Sequence, residues 1–86
     1  MKPAWLSYMK KILWRYPDNY KRENEAVEAA LRSGVPELID LVYVKRKCTY
    51  YEALAELSIS EQRGEQITNA FLRRIAKNLD LPMGGK

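Results

Sequence analysis

Apolar residues recur at helical spacing from the start of the chain. Between Ala4 and Tyr16 they lie three or four residues apart, which is the repeat of one face of an α-helix, and Pro17 follows the segment. The apolar positions are Trp5, Tyr8, Met9, Ile12, Leu13 and Tyr16, and the basic positions on the other flank are Lys10, Lys11 and Arg15. We predict an amphipathic first helix whose charged flank faces water, DNA phosphates or a membrane surface.

A second and more polar helix is predicted from Tyr20 to Ser33. The segment is rich in Glu, Ala, Lys and Arg, which favour helices. Asp18 or Asn19 is placed to cap its first turn, and Gly34 is placed to end it. The apolar stripe is short and consists of Tyr20, Val27, Ala30 and Leu31. We expect this helix to be mostly exposed and to serve as a connector or a pairing surface.

A third, strongly apolar helix is predicted after Pro36, a residue type that suits the first turn of a helix. Its apolar positions are Leu38, Ile39, Leu41, Val42 and Val44, and the basic residues Lys45, Arg46 and Lys47 follow them. Positive charge at the end of a helix interacts favourably with the exposed carbonyl groups there, and it also attracts phosphate. Both explanations of the basic cluster remain open at this point.

The segment from Thr49 to about Leu79 has the order of a short helix, a turn and a long helix. Thr49 and Glu52 have the spacing of a capping box, and the short helix reaches about Leu57. Three residues, Ser58, Ile59 and Ser60, interrupt the helical pattern. We expect Ile59 to turn inward and Ser60 to cap the long helix.

The long helix has one apolar face and one polar face. The apolar positions are Ile67, Phe71, Ile75 and Leu79, with Ala70 and Ala76 beside them, and the polar positions are Gln62, Arg63, Glu65, Gln66 and Asn69. The polar side chains can donate to or accept from base edges. Gly64 lies where two helices that cross at a wide angle need a small residue, although it would also suit a kink or a break in a helix with an ordinary solvated face.

Composition limits the class of protein. Eighty-six residues are enough for one all-α domain, and 15 Lys and Arg against 11 Asp and Glu give a net charge of +4, which suits a polyanionic partner. Histidine is absent and Cys48 is the single cysteine, so one chain has neither the ligands for a zinc site nor an internal disulfide. With no glycine-rich phosphate loop either, we expect no enzymatic activity, no cofactor, no metal and no special role for Cys48.

The amino-terminal segment is not expected to be a targeting signal. Lys10, Lys11 and Arg15 interrupt the first apolar segment, so we predict neither a signal peptide nor a membrane span. We therefore expect a cytoplasmic protein without a membrane partner. Residues 82 to 86, from Pro82 to Lys86, include two glycines and are predicted to form a flexible tail.

Three runs carry a resemblance to a known family. They are LIDLVY at 38–43, TYYEALAELSIS at 49–60 and FLRRIA at 71–76. Together they resemble the carboxy-terminal half of phage late-gene transcriptional regulators of the RinA and ArpU type, which are similar to the region of bacterial sigma factors that reads the −35 promoter element. The resemblance covers about 45 of the 86 residues. It differs from the family pattern at Leu54, where a small residue is usual, and at Ser58, where glycine is usual.

The resemblance implies a DNA-binding helix-turn-helix unit over 35–81, with the helices of residues 1–34 used for packing or dimerisation. The long helix would be the recognition helix, and its implied base contacts are Gln62, Arg63, Gln66 and Asn69. Thr49 is implied as a phosphate contact, and the basic residues Lys45, Arg46, Lys47, Arg73 and Arg74 are candidates for the same role. Glu61 and Glu65 place negative charge near the phosphates, which would weaken binding.

The function predicted from these observations is a phage or prophage transcription factor that binds double-stranded DNA at promoters and recruits RNA polymerase. A homodimer would add contacts, and the first helix, with Trp5, Tyr8, Ile12 and Tyr16, would either pair with a second copy or belong to the core. One alternative is an interaction protein that keeps the fold and binds a host or phage protein. Another is the recognition subunit of a DNA-packaging terminase, which binds DNA as an oligomer.

Overall fold

The computed structural model describes residues 4 to 80, and 75% of these residues are helical, with no strand among them. The helices are α1 (Ala4–Arg15), α2 (Lys21–Arg32), α3 (Glu37–Ile39) continued by a π-helical segment (Asp40–Val44), α4 (Tyr50–Leu57) and α5 (Glu61–Asn78). The prediction of an all-α fold is confirmed. Lys2 and Pro3, which precede the first helix, and the predicted tail from Pro82 to Lys86 lie outside the described residues.

Helix α1 has the bounds that its apolar spacing predicts, to within one residue. It buries Leu6, Met9, Ile12 and Leu13 in a cluster with α2 and α5, which we call the large core. Of the residues proposed for pairing, only Ile12 is fully buried, while Trp5 and Tyr16 are half-buried against the large core and Tyr8 is 41% exposed. The apolar side of α1 therefore packs within the chain.

The start of α2 differs from the prediction. Tyr20 is at the N-cap, and its N–H donates to Oε1 of Glu23 at 3.2 Å. Neither Asp18 nor Asn19 caps the helix. The Asn19 amide instead donates to the carbonyl of Ile12 at 2.7 Å, because the tight connection brings it back to α1. The predicted end is confirmed, since Gly34 has a φ of +118° and its N–H donates to the carbonyl of Leu31 at 3.3 Å.

The expectation that α2 is a mostly exposed connector is wrong. Ala26, Val27 and Ala30 are buried against α5, and their small size lets the two helices approach closely. Asn78 of α5 also donates to the carbonyl of Ala26 at 3.1 Å. Tyr20 does not belong to the apolar stripe, because 80% of its surface is exposed.

A second cluster, the small core, joins α3, the π-helical segment and α4. Its buried members are Leu38, Leu41, Val42, Ala53 and Leu54, with Ile59 and Ile67 packed against them. The helix predicted after Pro36 exists, but its second part is π-helical, and the Lys45 N–H donates to the carbonyl of Asp40 at 2.8 Å. Because the turn is wider, Val44 does not lie on the apolar face, and 46% of its surface is exposed.

Helix α5 connects the two cores, and its C-terminal half lies in the large core. Phe71, Ile75, Ala76 and Leu79 are buried, as their spacing predicts. Ile67 is half-buried against the small core. Ala70 was expected on the apolar face and is exposed, whereas Leu72 and Thr68 are buried there. The buried face is thus wider than predicted, because α5 packs against several helices at once and buries a second row of positions, Thr68 and Leu72, beside the predicted one.

Candidate nucleic-acid interface

The connection between α4 and α5 is determined by local hydrogen bonds. Oγ1 of Thr49 accepts from the Glu52 N–H at 3.2 Å, and Oε1 of Glu52 accepts from the Thr49 N–H at 2.9 Å, so the predicted capping box is confirmed. Oγ of Ser60 accepts from the Arg63 N–H at 3.1 Å and caps α5, also as predicted. Ser58 adopts a left-handed conformation with φ 55° and ψ 46°, a conformation that glycine adopts without a steric penalty.

Gly64 is the contact point of α5 with α4. A Cβ atom there would lie 2.5 Å from Cδ2 of Leu54 and 2.8 Å from the hydroxyl of Tyr50, so these two side chains take the space that a larger residue would need. Helix α5 continues through this position, and the alternative of a break at Gly64 is wrong. The large residue at Leu54, unusual for the family that the sequence resembles, is accommodated by the missing side chain opposite.

The four residues predicted to contact bases lie along the outer side of α5. Gln62, Arg63 and Gln66 are exposed, and Asn69 is half-buried. Residues four apart share a helix face, so Gln62 and Gln66 form the centre of this surface, with Arg63 on one flank and Asn69 on the other. Nη1 of Arg63 donates to Oε1 of Gln66 at 3.4 Å. We call this exposed surface the α5 outer face.

A groove of about 550 Å³ runs beside the α5 outer face, between α1, α4 and α5. Its lining includes Lys10, Tyr43, Tyr50, Tyr51, Glu61, Gln62, Glu65 and Asn69. The two carboxylates outnumber the one amine, so this groove repels a phosphate more than it attracts one. The carboxylates of Glu61 and Glu65 therefore place negative charge on one flank of α5.

Tyr50 and Tyr43 of the groove remain neutral over the ordinary pH range, because the pKa of each is raised. Burial raises the pKa of Tyr50, and the carboxylates of Glu65 and Glu61 raise it further, while the neighbouring Thr68 hydroxyl opposes the change. Burial is also the main cause of the raised pKa of Tyr43. The Thr68 hydroxyl is buried and makes no hydrogen bond of ordinary geometry with any described residue. These phenols can thus donate a hydrogen bond to an acceptor at neutral pH.

Three of the predicted phosphate contacts border a second groove of about 600 Å³, next to the first. They are Arg46, Lys47 and Thr49, and Trp14 of α1 lines the same groove. Lys47 and Thr49 are exposed. Lys45 differs from them, because its Nζ forms an ion pair with Oδ2 of Asp40 at 3.0 Å. Lys45 is thus paired within the chain, and Nε of Arg46 donates to the helix-end carbonyl of Tyr43 at 3.3 Å, whereas Lys47 is exposed.

The two arginines in the second half of α5 have different surroundings. Arg73 is exposed and shares the outer side of the helix with Gln62 and Gln66, following them at helical spacing. Arg74 reaches back to the end of α2, where Nη1 donates to the carbonyl of Gly34 at 2.9 Å and to Oγ of Ser33 at 3.4 Å. Arg73 thus remains available to a partner, whereas Arg74 already stabilises the connection after α2.

Sequence reasoning missed the α1 side of this region. Trp14, Tyr43, Tyr50 and Tyr51 were not among the predicted site residues, and Lys10 was noted only as part of a charged flank. Periodicity identifies exposed residues on each helix, but it does not indicate which exposed residues of two helices lie side by side. That placement depends on how α1 packs against α5.

The described residues were also compared with the requirements of a metal site, a reactive thiol and a membrane-spanning helix. Among residues 4 to 80, no group of three or more His, Cys, Asp or Glu side chains is placed to hold a metal ion. Burial, followed by the carboxylates of Glu56 and Glu52, raises the pKa of the Cys48 thiol and keeps it protonated. No helix within this range is both long and apolar enough to cross a membrane.

Comparisons with protein-family models, with curated proteins and with solved structures gave no match. The resemblance to phage late-gene regulators of the RinA and ArpU type therefore remains a prediction from the sequence.

Proposed function

We propose that the protein binds duplex DNA, with α4 and α5 acting as a helix-turn-helix unit and α5 as the recognition helix. The observation that carries this proposal is the α5 outer face. It presents Gln62, Arg63 and Gln66 to solvent in the first two turns of a helix that is anchored from behind at Gly64 and Phe71. Arginine and glutamine are the side chains that pair with guanine and adenine edges in the major groove.

Groups suited to phosphate surround the recognition helix. Thr49 is exposed at the start of α4, where helix N–H groups favour an anion, and Lys47 is two residues away. Arg73 continues the outer side of α5 toward its end. In a helix-turn-helix unit, the supporting helix meets the DNA backbone while the recognition helix enters the groove. The arrangement suits contacts to the backbone on both sides of a major groove.

The biological role that we propose is regulation of transcription in a bacterial cytoplasm, at phage or prophage promoters and with RNA polymerase as a further partner. This part rests on the sequence resemblance of the segments 38–43, 49–60 and 71–76. Specific binding by one small unit is weak, so a homodimer on two half-sites would provide the remaining contacts.

A second candidate is a protein-binding module with the same fold. The observation in its favour is the groove beside α5, where Glu61 and Glu65 lie among three tyrosines. Aromatic rings and carboxylates together suit a basic protein segment better than they suit DNA. This candidate predicts binding that depends on Glu61 and Tyr51 and is independent of Arg63 and Gln66.

Selection of random duplex DNA by the purified protein tests the proposal, with binding measured at about 50 and 200 mM salt. We expect an enriched motif that the Arg63→Ala, Gln66→Ala double variant no longer selects, because each base pair discriminated by such contacts contributes about 1–3 kcal/mol. Lys21→Ala is the charge-matched control, since it removes one positive charge from an exposed position of α2. Equal enrichment by the double variant, or no enrichment by the parent, would contradict the proposal.

A further inference from the structure

We propose that the DNA interface extends onto α1, where the stacked side chains of Trp14 and Arg46 form a subsite for a backbone phosphate flanking the bound site. The inference rests on the proposed DNA binding by α5 and adds Trp14 of α1 as the platform that holds Arg46, one of the candidate phosphate contacts. It also assigns the exposed end of α1 to DNA instead of to a second copy of the chain.

The Arg46 guanidinium is held in place by α1 and by the π-helical segment, which ends just before Arg46. Its Cζ lies 4.5 Å from the centroid of the Trp14 ring, its Nη2 donates to the Trp14 carbonyl, and its Nε donates to the Tyr43 carbonyl at 3.3 Å. The Tyr43 ring meets the Trp14 ring edge-on, with 6.0 Å between centroids. Each hydrogen bond uses one N–H group, and the other N–H groups of the guanidinium remain for a ligand. A guanidinium that is already oriented loses little freedom when it binds phosphate.

The backbone of Arg46 ends the π-helical segment and sets where its side chain lies. Its φ is +53°, in the left-handed region that disfavours residues with a side chain. Glycine or asparagine would suit the backbone better, yet the position carries a long basic side chain that is exposed to solvent. With this turn the Lys47 N–H donates to the carbonyl of Leu41 at 2.9 Å, and the Arg46 side chain reaches the Trp14 carbonyl of α1.

The charge around the pair favours a polyanion. Arg15 borders a groove on one side of the pair, and Lys47 borders the groove on its other side. The carboxylate of Asp18 lines the groove that Arg15 borders, and that of Glu52 lines the groove that Lys47 borders, but Glu52 is engaged with the Thr49 N–H. With Arg46 included, positive groups outnumber negative ones, in contrast to the acidic groove beside α5.

The pair is continuous with the α5 outer face. Tyr43 touches Trp14 on one side and lines the groove with Gln62 and Asn69 on the other. Lys10 lies one turn before Trp14 on α1 and borders that same groove. Thr49 shares the second groove with Arg46. A DNA backbone that passes the start of α4 therefore meets the Trp14–Arg46 pair next.

Tryptophan fluorescence tests the contact directly. Trp5→Phe leaves Trp14 as the single tryptophan. We expect its emission to change on titration with the selected duplex and to saturate together with fluorescence anisotropy of labelled DNA. Inorganic phosphate at the same phosphate concentration should leave the emission unchanged, because a single subsite binds weakly without the rest of the interface. An equal response to inorganic phosphate, or a change that follows protein concentration without DNA, would overturn the proposal in favour of a free anion site or of self-association.

Two variants of Arg46 separate binding from folding. Arg46→Gln should weaken DNA binding about 3- to 10-fold at low salt and reduce the slope of log K against log salt by about one, as expected for one lost phosphate contact. Arg46→Gly suits the left-handed backbone, so it should retain the thermal midpoint of the parent and still bind DNA as weakly as Arg46→Gln. Lys21→Gln is the control for charge alone.

The outcomes distinguish this inference from the function on which it rests. A parent protein that binds no DNA overturns both. Suppose instead that the parent binds DNA through Arg63 and Gln66, that substitution of Arg46 leaves the salt slope unchanged, and that DNA leaves the Trp14 emission unchanged. Only the subsite is then overturned.

Discussion

The two halves of α5 contact the rest of the molecule in different ways. The C-terminal half places large side chains, Phe71, Leu72 and Ile75, into the large core between α1 and α2. The N-terminal half meets α4 at Gly64, where no side chain is present and where even a Cβ atom would collide with Leu54. The C-terminal half is held by the large side chains that it buries, whereas the N-terminal half approaches α4 closely because Gly64 has no side chain.

This difference means that one half of α5 provides most of the stability and the other half carries the exposed polar residues. Burial of large apolar side chains provides most of the free energy of folding, so the C-terminal half holds α5 in place. The N-terminal half contributes less apolar area, and its outer side carries the polar residues Gln62, Arg63 and Gln66. Substitutions in the C-terminal half should therefore change whether the chain folds, whereas those near Gly64 should change how α4 and α5 meet.

The largest effect is expected from Phe71→Ala in the large core. Phe71 is 1% exposed, and removal of a buried phenyl ring costs about 3–5 kcal/mol, a large share of the stability of a small domain. Chemical denaturation followed by far-UV circular dichroism measures the loss. Ala70→Ser, at the exposed neighbouring position, is the control and should change stability by less than about 0.5 kcal/mol. Similar losses from both variants would contradict the assignment of the buried face.

A smaller effect is expected from Gly64→Ala. Alanine gains about 1 kcal/mol of helix propensity, but the new methyl group overpacks the contact at a cost of about 1–3 kcal/mol, so we expect a net loss of about 1 kcal/mol. Leu54→Ala removes the Cδ2 atom that would lie 2.5 Å from the new methyl group. The double variant should therefore lose less stability than the two single variants together. Strict additivity in this cycle would show that the two helices do not touch at this point.

The smallest effect is expected from Ser58→Gly in the connection. Ser58 has a positive φ of 55°, and glycine adopts this conformation without a steric penalty, so the variant should gain about 0.5–1 kcal/mol. Ser58→Ala retains the penalty and serves as the control, with no gain expected. Thermal unfolding of the three proteins measures the difference. A Ser58→Gly variant that is less stable than the parent would mean that the turn depends on the serine hydroxyl.

Much of the fold is predictable because its determinants are local. The capping box of Thr49 and Glu52, the Ser60 cap and the glycine that ends α2 each act within four residues, and all three appear in the structure as predicted. The outer face of α5 follows from helical spacing in the same way. The candidate base contacts could therefore be placed on one exposed surface without knowledge of the fold.

The predictions that failed concern which positions of a helix are buried and which groups the side chains contact. The buried face of α5 excludes Ala70 and includes Leu72, which the prediction left out, and α2 was judged too polar to be buried, because alanines contribute little to an apolar pattern. The roles of Arg46 and Arg74 depend on carbonyl groups 32 and 40 residues away in the chain. No local pattern encodes such contacts.

The sequence by itself determined the helices, their caps, the small residue at Gly64 and the polar character of the first turns of α5. Only the tertiary structure decided which charges are available to a partner, since it joins Lys45 to Asp40 and Arg74 to Gly34 and leaves Lys47 and Arg73 exposed. It also brought Trp14 beside Arg46. The physical reason is range: capping and periodicity act within one or two turns of helix, whereas a binding surface is assembled from segments that meet only when the core has formed.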